Sequence, residues 1–165
     1  MSFPVPLEER DFEFISKNLD IWWSGRNMSP MLPRLWFKDF SATSFVIRQA
    51  DEPIAFLVGY ISPTHPEKAY VHFIGVNPTH RNSGLGKNLY KTFGLKVSKL
   101  GATKIEAVTS TLNSQSLKFH ESIGFIAIEL DGHTTLPTSA MGIKDYDGAG
   151  EDRVLLRKEL PFSWE

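Results

Sequence analysis

Arg81, Gly84 and Gly86, followed at once by Lys87, form the stretch of this sequence best suited to chemistry. They sit in Arg81-Asn82-Ser83-Gly84-Leu85-Gly86-Lys87. Before them runs a β-branched and aromatic segment with Val71, Phe73, Ile74 and Val76, which reads as a strand. After them Leu85, Leu89, Phe93, Val97 and Leu100 recur every three or four residues, which reads as a helix, and Gly101 stands where its C-terminal cap belongs. The first turn of a helix carries backbone N–H groups without intrahelical partners, and the helix dipole adds partial positive charge there. Gly84 and Gly86 carry no Cβ, so a ligand can come close to the backbone. Arg81 and Lys87 bracket the turn with full positive charge. An anion, phosphate or pyrophosphate, suits such a place. The plainer alternative is that the glycines only make a tight strand-to-helix turn.

Two familiar phosphate loops do not fit. A P-loop needs Gly where Arg81 stands and Ser or Thr where Asn88 stands. The dinucleotide fingerprint needs a third Gly at Leu89. The stretch does resemble motif A of the GNAT superfamily of N-acetyltransferases, Arg/Gln-x-x-Gly-x-Gly/Ala, here preceded by Ile74-Gly75-Val76-x-Pro78. The resemblance implies that Arg81, Asn82, Ser83, Gly84, Leu85, Gly86 and Lys87 hold the pyrophosphate of acetyl-CoA. It also implies that Ile74, Gly75 and Val76 run beside the pantetheine arm.

A second resemblance lies downstream. Asn113-x-x-Ser116-x-x-Phe119-His120-x-x-x-Gly124-Phe125 is similar to GNAT motif B, in which Asn, a small residue, Tyr, Gly and Phe recur at this spacing. Asn113 is an N-cap candidate for a helix through Ile123, and Asn113, Ser116, His120 and Gly124 fall on one helical stripe. By the resemblance, Asn113 contacts the pantetheine arm, Ser116 leaves room for the cofactor, and Phe119 lies beside it. The order and separation of the two motifs also agree with the family.

Composition limits the alternatives. The chain has 165 residues, 41% of them apolar, and a formal net charge of −1. That suits one domain spanning residues 1–165, with no general attraction to nucleic acid. There is no cysteine, which removes disulfides and thiolate nucleophiles together. No signal-peptide pattern and no apolar run of the ~20 residues needed to span a bilayer is visible, so a cytoplasmic protein without a membrane partner is expected. The five histidines contain no His-x-x-x-His pair, and no metal site is expected.

The elements that must position these residues can be read in order. Ser2–Leu7 is an edge strand or an extended lead-in. A helix from Glu8 presents Phe12, Ile15, Leu19 and Trp22 on one face. Pro30 and Pro33 open a second helix, expected to bury Met31, Leu32, Leu35 and Trp36. Trp22, Trp23, Trp36 and Phe37 pack in the core or wall an acceptor site. Strands follow at Ser44–Gln49 and Pro53–Ser62, the second apolar enough to be covered on both faces. Strand, helix and strand from Tyr70 to Thr109 make a right-handed parallel crossover. Strands at Ile126–Leu130 and Val154–Leu160 close the chain. The expectation is an α/β fold of GNAT type: a mixed, mostly antiparallel twisted sheet flanked by helices. Between the last two strands a long loop holds Asp145, Asp147, Glu151 and Asp152. It is a solvated turn or a flap whose carboxylates draw in a cationic amine.

Acetyl transfer to an amine needs a neutral nucleophile, a stabilised oxyanion and a leaving thiolate. The family attacks directly, so the absent cysteine is no obstacle, and it implies a backbone oxyanion donor near Gly75 and Val76. Where the family has a Tyr acid, this sequence has His120, which either donates a proton or is only packed. On the central strand, Tyr70 and His72 share a face with Ile74 and Val76 by the two-residue period. His72 either accepts the amine proton or is satisfied by a neighbour. Glu106 is one residue out of register for a base. The expected reaction partners are acetyl-CoA and an unidentified primary amine. A non-catalytic acyl-CoA sensor is the alternative. Many members of the family are homodimers, which leaves that assembly open here.

Overall fold

The computed structural model describes residues 2–136 and 142–161. They divide into two compact units, residues 1–102 and 103–165, and every strand pairing within each unit is antiparallel.

The first unit contains β1 (Val5–Pro6), α1 (Asp11–Trp22), α2 (Leu35–Asp39), β2 (Phe45–Gln49), β3 (Glu52–Ile61), β4 (Lys68–Val76) and α3 (Leu85–Lys99). The strands pair in the order β1-β2-β3-β4. β3 is buried from Pro53 to Gly59, as its continuous apolar sequence requires. On one face Val46, Phe56, Val58 and Phe73 pack with Ile15, Leu19 and Trp22 of α1 and with Leu32 and Phe37. α3 packs along β3 as well, with Leu89, Phe93 and Val97 fully buried. The Phe93 ring lies so close to Gly59 that a Cβ there would come within 2.6 Å of it.

The expected second helix is not continuous. A single helical turn at Ser29–Met31 and the short α2 replace it, because Pro33 lacks an N–H and forces Leu32 out of helical geometry, to φ −132° and ψ 62°. The burial pattern changes with it. Leu32 and Phe37 are buried, whereas Met31 and Leu35 are each 51% exposed. The long aromatic residues divide: Trp22 and Phe37 join the core, and Trp23 and Trp36 are half-buried beside it.

α3 ends as its sequence indicates. Gly101 is left-handed at φ 100°, its N–H donates to the Ser98 carbonyl at 3.1 Å, and the Ala102 N–H donates to Val97 at 2.9 Å. That pair of bonds satisfies the last carbonyls of the helix, and only glycine takes this φ without strain. The apolar stripe stops one residue early, since Leu100 is 54% exposed and Ala102 is buried in its stead.

The second unit contains β5 (Lys104–Ser110), α4 (Ser114–Ser122), β6 (Ile126–Ile128) and β7 (Arg153–Glu159), with the strands in the order β5-β7-β6. Ile105, Ala107 and Thr109 are buried, as alternation predicts, but Glu106 is buried too. It stands opposite Arg157 across β5 and β7, and its Oε2 accepts from Arg157 Nε at 2.9 Å and Nη2 at 2.7 Å. A paired carboxylate tolerates burial that an isolated one would not.

Gly59→Ala is expected to destabilise the protein by about 1–3 kcal/mol, as overpacking against a fixed aromatic ring does. A denaturant titration checks this; an unchanged midpoint would mean that Phe93 moves aside at no cost.

Candidate active site

β4 delivers the chain to the glycine loop. After Val76, the Asn77 N–H donates to the Ile54 carbonyl at 2.8 Å, and Asn77 Oδ1 accepts from the Thr79 N–H at 3.1 Å. One helical turn at Pro78–His80 follows. The Ser83 hydroxyl donates back to the His80 carbonyl. Asn82 and Gly84 are both left-handed, at φ 62° and 82°, and Gly84 is the N-cap of α3. Gly84 is required by its backbone and not by crowding, since a Cβ there would meet nothing within 4 Å.

The loop's N–H groups remain open. Among the described residues, no protein group accepts from the backbone N–H of residues 82–87, and the first helical bond is Asn88 N–H to Gly84 at 3.0 Å. Asn82, Ser83, Gly84 and Lys87 are exposed, Leu85 is half-buried and Gly86 is buried. Arg81 behaves differently from the simple expectation of a charge beside the loop. Its Nη2 donates to the Trp22 carbonyl at 2.7 Å and its Nε to Val76 at 3.3 Å. It therefore ties the loop to the last residue of α1 and to the last residue of β4, and holds the turn in shape.

β4 itself departs from the two-residue period. The register with β3 steps from Val58–Phe73 to Gly59–Val71, which leaves His72 as the extra residue of a β-bulge. The bulge puts His72 and Phe73 on one face. Phe73 meets Trp23 at 4.9 Å, and His72 stacks on Trp36 with ring centroids 4.0 Å apart and planes within 8°. Tyr70, opposite Tyr60 at 5.6 Å between rings, lies on that face as well. So does Gly75, where a Cβ would come within 2.6 Å of Phe56 and 3.1 Å of Trp23. Ile74 and Val76, paired with Leu57 and Ala55, point the other way. The face expected to unite Tyr70 and His72 with Ile74 and Val76 is thus divided by the bulge. Simple alternation could not have shown it, since nothing in the sequence marks an extra residue.

His72 Nε2 lies 2.6 Å from the Met31 carbonyl, which can only accept, so the ring donates from Nε2. Burial holds the His72 pKa below the usual histidine value, although the bond to Met31 works in the opposite direction.

The second unit carries the other motif. Asn113 is the N-cap of α4, its Oδ1 accepting from the Ser116 N–H at 3.1 Å, as its position predicted. His120 is 4% exposed, with the rings of Phe119 and Phe125 edge-on at 5.2 Å. Its Nδ1 is 2.8 Å from the Ser116 carbonyl one turn back and 3.3 Å from the Ser116 hydroxyl. Burial lowers the His120 pKa, the carbonyl bond opposing it. A neutral ring that donates from Nδ1 has a lone pair, not a proton, at Nε2. The geometry therefore opposes the role of proton donor considered for His120.

The carboxylates considered from sequence are engaged. Glu106 is paired with Arg157. Asp152 accepts from the Asp145 N–H at 2.8 Å, and Asp145 from the Gly150 N–H at 2.7 Å. Asp147 and Glu151 pair with Arg153 at 3.0 and 2.9 Å. These bonds shape residues 142–153 of the long loop from within; residues 137–141 lie outside the described residues. Among the described residues there is no group of three metal-ligating side chains. No helix among them is long and apolar enough to cross a membrane.

Comparison with known proteins agrees with both motifs. The model of the Acetyltransferase (GNAT) family matches residues 8–125. The chain belongs to that family. It is 33% identical over 90 residues to an L-2,4-diaminobutyric acid acetyltransferase of Streptomyces coelicolor, covering 53% of each chain. It is 29% identical over 89 residues to the protein of that name from Nocardia farcinica, covering 54% of this chain and 46% of the relative. The matches thus span about half the length of these relatives. Among solved structures, an acetyltransferase of the GNAT family from Desulfovibrio desulfuricans aligns with TM-score 0.78 at 16% identity, over 96% of this chain and 99% of that one. The diaminobutyrate acetyltransferase EctA of Paenibacillus lautus, solved with L-2,4-diaminobutyric acid and coenzyme A, aligns with TM-score 0.72 at 20% identity, over 99% of this chain and 97% of that one. The α/β, mostly antiparallel fold expected from sequence is the fold these structures share.

His72 and His120 also make stability depend on pH. Both pKa values are lowered on folding from 6.5, so below that pH the unfolded chain binds protons that the folded chain does not. Stability should be at its plateau above about pH 6.5 and fall as the pH drops below it. His120→Gln should make the fall in melting temperature between about pH 7 and 5 shallower than in the wild type. Parallel curves would show that His120 titrates alike in both states.

Proposed function

We propose that this protein is an acetyl-CoA-dependent N-acetyltransferase that moves the acetyl group directly onto a primary amine. The observation that carries the reading is the open row of backbone N–H groups at residues 82–87, at the positive end of the α3 dipole. In this reading Arg81, Asn82, Ser83, Gly84, Leu85, Gly86 and Lys87 form the pyrophosphate cradle. Arg81 acts by holding it and Lys87 by its charge. Ile74, Gly75 and Val76 guide the pantetheine arm, Gly75 through its backbone alone because its other side is filled by Phe56 and Trp23. By the motif B resemblance alone, Asn113, Ser116 and Phe119 are assigned to the pantetheine arm as well.

In the reaction the amine lone pair attacks the thioester carbonyl, the carbon–sulfur bond breaks, and the amine nitrogen loses its proton. The leaving group is a thiolate, a far weaker base than an alkoxide or an amide ion, so it leaves without much help from an acid. A buried, neutral His120 is then no obstacle to turnover. The relatives named for L-2,4-diaminobutyric acid make a small primary amine the proposed acceptor class, with that compound the first to try. A cytoplasmic location is part of this reading. Sedimentation of the same preparation distinguishes monomer from homodimer.

Gly84→Asp sets a carboxylate against the diphosphate while leaving the packing untouched. Acetyl-CoA affinity should fall about 100-fold, equivalent to ~2.7 kcal/mol, while the left-handed φ of 82° costs the variant only about 2–4 °C in melting temperature. Unchanged affinity by calorimetry would refute the pyrophosphate assignment. Thiol release with a panel of amines tests the transfer itself. Acetyl-CoA binding with no release above the rate in water would favour the sensor.

A further inference from the structure

The bulge in β4 gives His72 surroundings that a regular strand would not. It turns the imidazole to the face where Trp36 covers one side of the ring, centroid to centroid at 4.0 Å. The Met31 carbonyl fixes the ring's edge at 2.6 Å. That carbonyl is itself held by local constraint: Met31 and Leu32 donate to Met28 and Ser29 at 3.0 Å, and Pro33 restricts the residue between. A carbonyl cannot donate, so the proton of the neutral ring sits on Nε2 and the lone pair on Nδ1. The titratable groups on the same face are Tyr60 of β3 and Tyr70 of β4. Among the described residues no carboxylate and no cation pairs with the ring. Burial keeps it neutral at neutral pH.

We propose that His72 is the proton acceptor of the transfer, and that Trp36 and the Met31 carbonyl are the positioning groups that present its Nδ1 lone pair. This rests on the N-acetyltransferase reading above. As the amine nitrogen bonds to the acetyl carbon, its N–H bond breaks and an Nδ1–H bond forms. The carbon–sulfur pair leaves with the thiolate. The imidazolium then gives its proton to water or to that thiolate. No oxidant, metal or acyl-enzyme is needed.

Trp36 has a role here that core packing does not require. It is half-buried, and its indole plane shields one face of the imidazole from water. Removing the indole should loosen the tautomer and move the pKa of His72 back toward about 6.5.

Three measurements on the full chain test the assignment. Long-range proton–nitrogen NMR at pH 7.5 should show His72 protonated at Nε2 and bare at Nδ1. A proton on Nδ1 overturns the proposal whatever the enzyme's activity. His72→Gln should lower kcat about 100-fold, the lower range for lost acid–base catalysis, keep acetyl-CoA affinity within about twofold and abolish the acid limb of the kcat/KM profile. A rise in KM alone, with the acid limb intact, assigns His72 to acceptor binding and overturns the proposal. Trp36→Leu should move that limb to higher pH and Trp36→Phe should restore it. A lower melting temperature with an unmoved limb would reduce Trp36 to packing and overturn its positioning role. Should wild-type protein bind acetyl-CoA and show the stated tautomer but release no thiol, the transferase reading fails and the proton-acceptor role with it.

Discussion

An α-helix begins with N–H groups that its own carbonyls cannot reach, and at the start of α3 no side chain among the described residues fills in for them. Many helices cap that end with Ser, Thr or Asp, whose oxygen takes one of the donors. Here the cap is Gly84, which offers no side-chain oxygen and adopts a left-handed φ of 82°. The chain gives up local stabilisation and gains a surface on which an outside anion can bind several amides together. Arg81 makes this tenable by bonding to carbonyls of Trp22 and Val76, so the loop's own charged residue ties it to α1 and β4.

The same economy governs β4. One extra residue relative to β3 reverses the facing of everything on one side of it. Phe73 stays in the core with α1, Ile74 and Val76 remain on the opposite face, and His72 is delivered to Trp36. The buried His120 and the half-buried His72 then differ in consequence. His120 donates from Nδ1 to its own helix, an arrangement that serves the packing of Phe119 and Phe125. His72 donates from Nε2 to a carbonyl of the Met28–Leu32 turn, which orients the ring against a different element. Amine acetylation asks more of a proton acceptor than of a donor, because the leaving thiolate is stable and an ammonium cannot attack.

Sequence carried the argument furthest where a local rule decides the structure. The helical period of α3, the αL cap at Gly101 and the Asn113 cap are short-range constraints written in residue type. So is the glycine loop, whose residues also carry the family resemblance. Where tertiary pairing decides, the reading went astray. The bulge at His72 follows from how β4 meets β3, and neither strand announces it. Glu106 alternates as an outward residue should, yet Arg157, fifty-one positions away, makes its burial tolerable. The helix drawn through Pro33 had a visible warning, because Pro at that place constrains the residue before it. For the acidic loop, read as a solvated turn or a flap, the bonds within residues 145–153 and the pairs to Arg153 agree with the turn.

Amide NMR during a titration with coenzyme A reads the central claim most directly, since it observes the donors themselves. The account predicts that the N–H resonances of residues 83–87 move first and furthest downfield, as charge-assisted hydrogen bonds to a diphosphate form. Saturable binding of coenzyme A that leaves those resonances in place would contradict it.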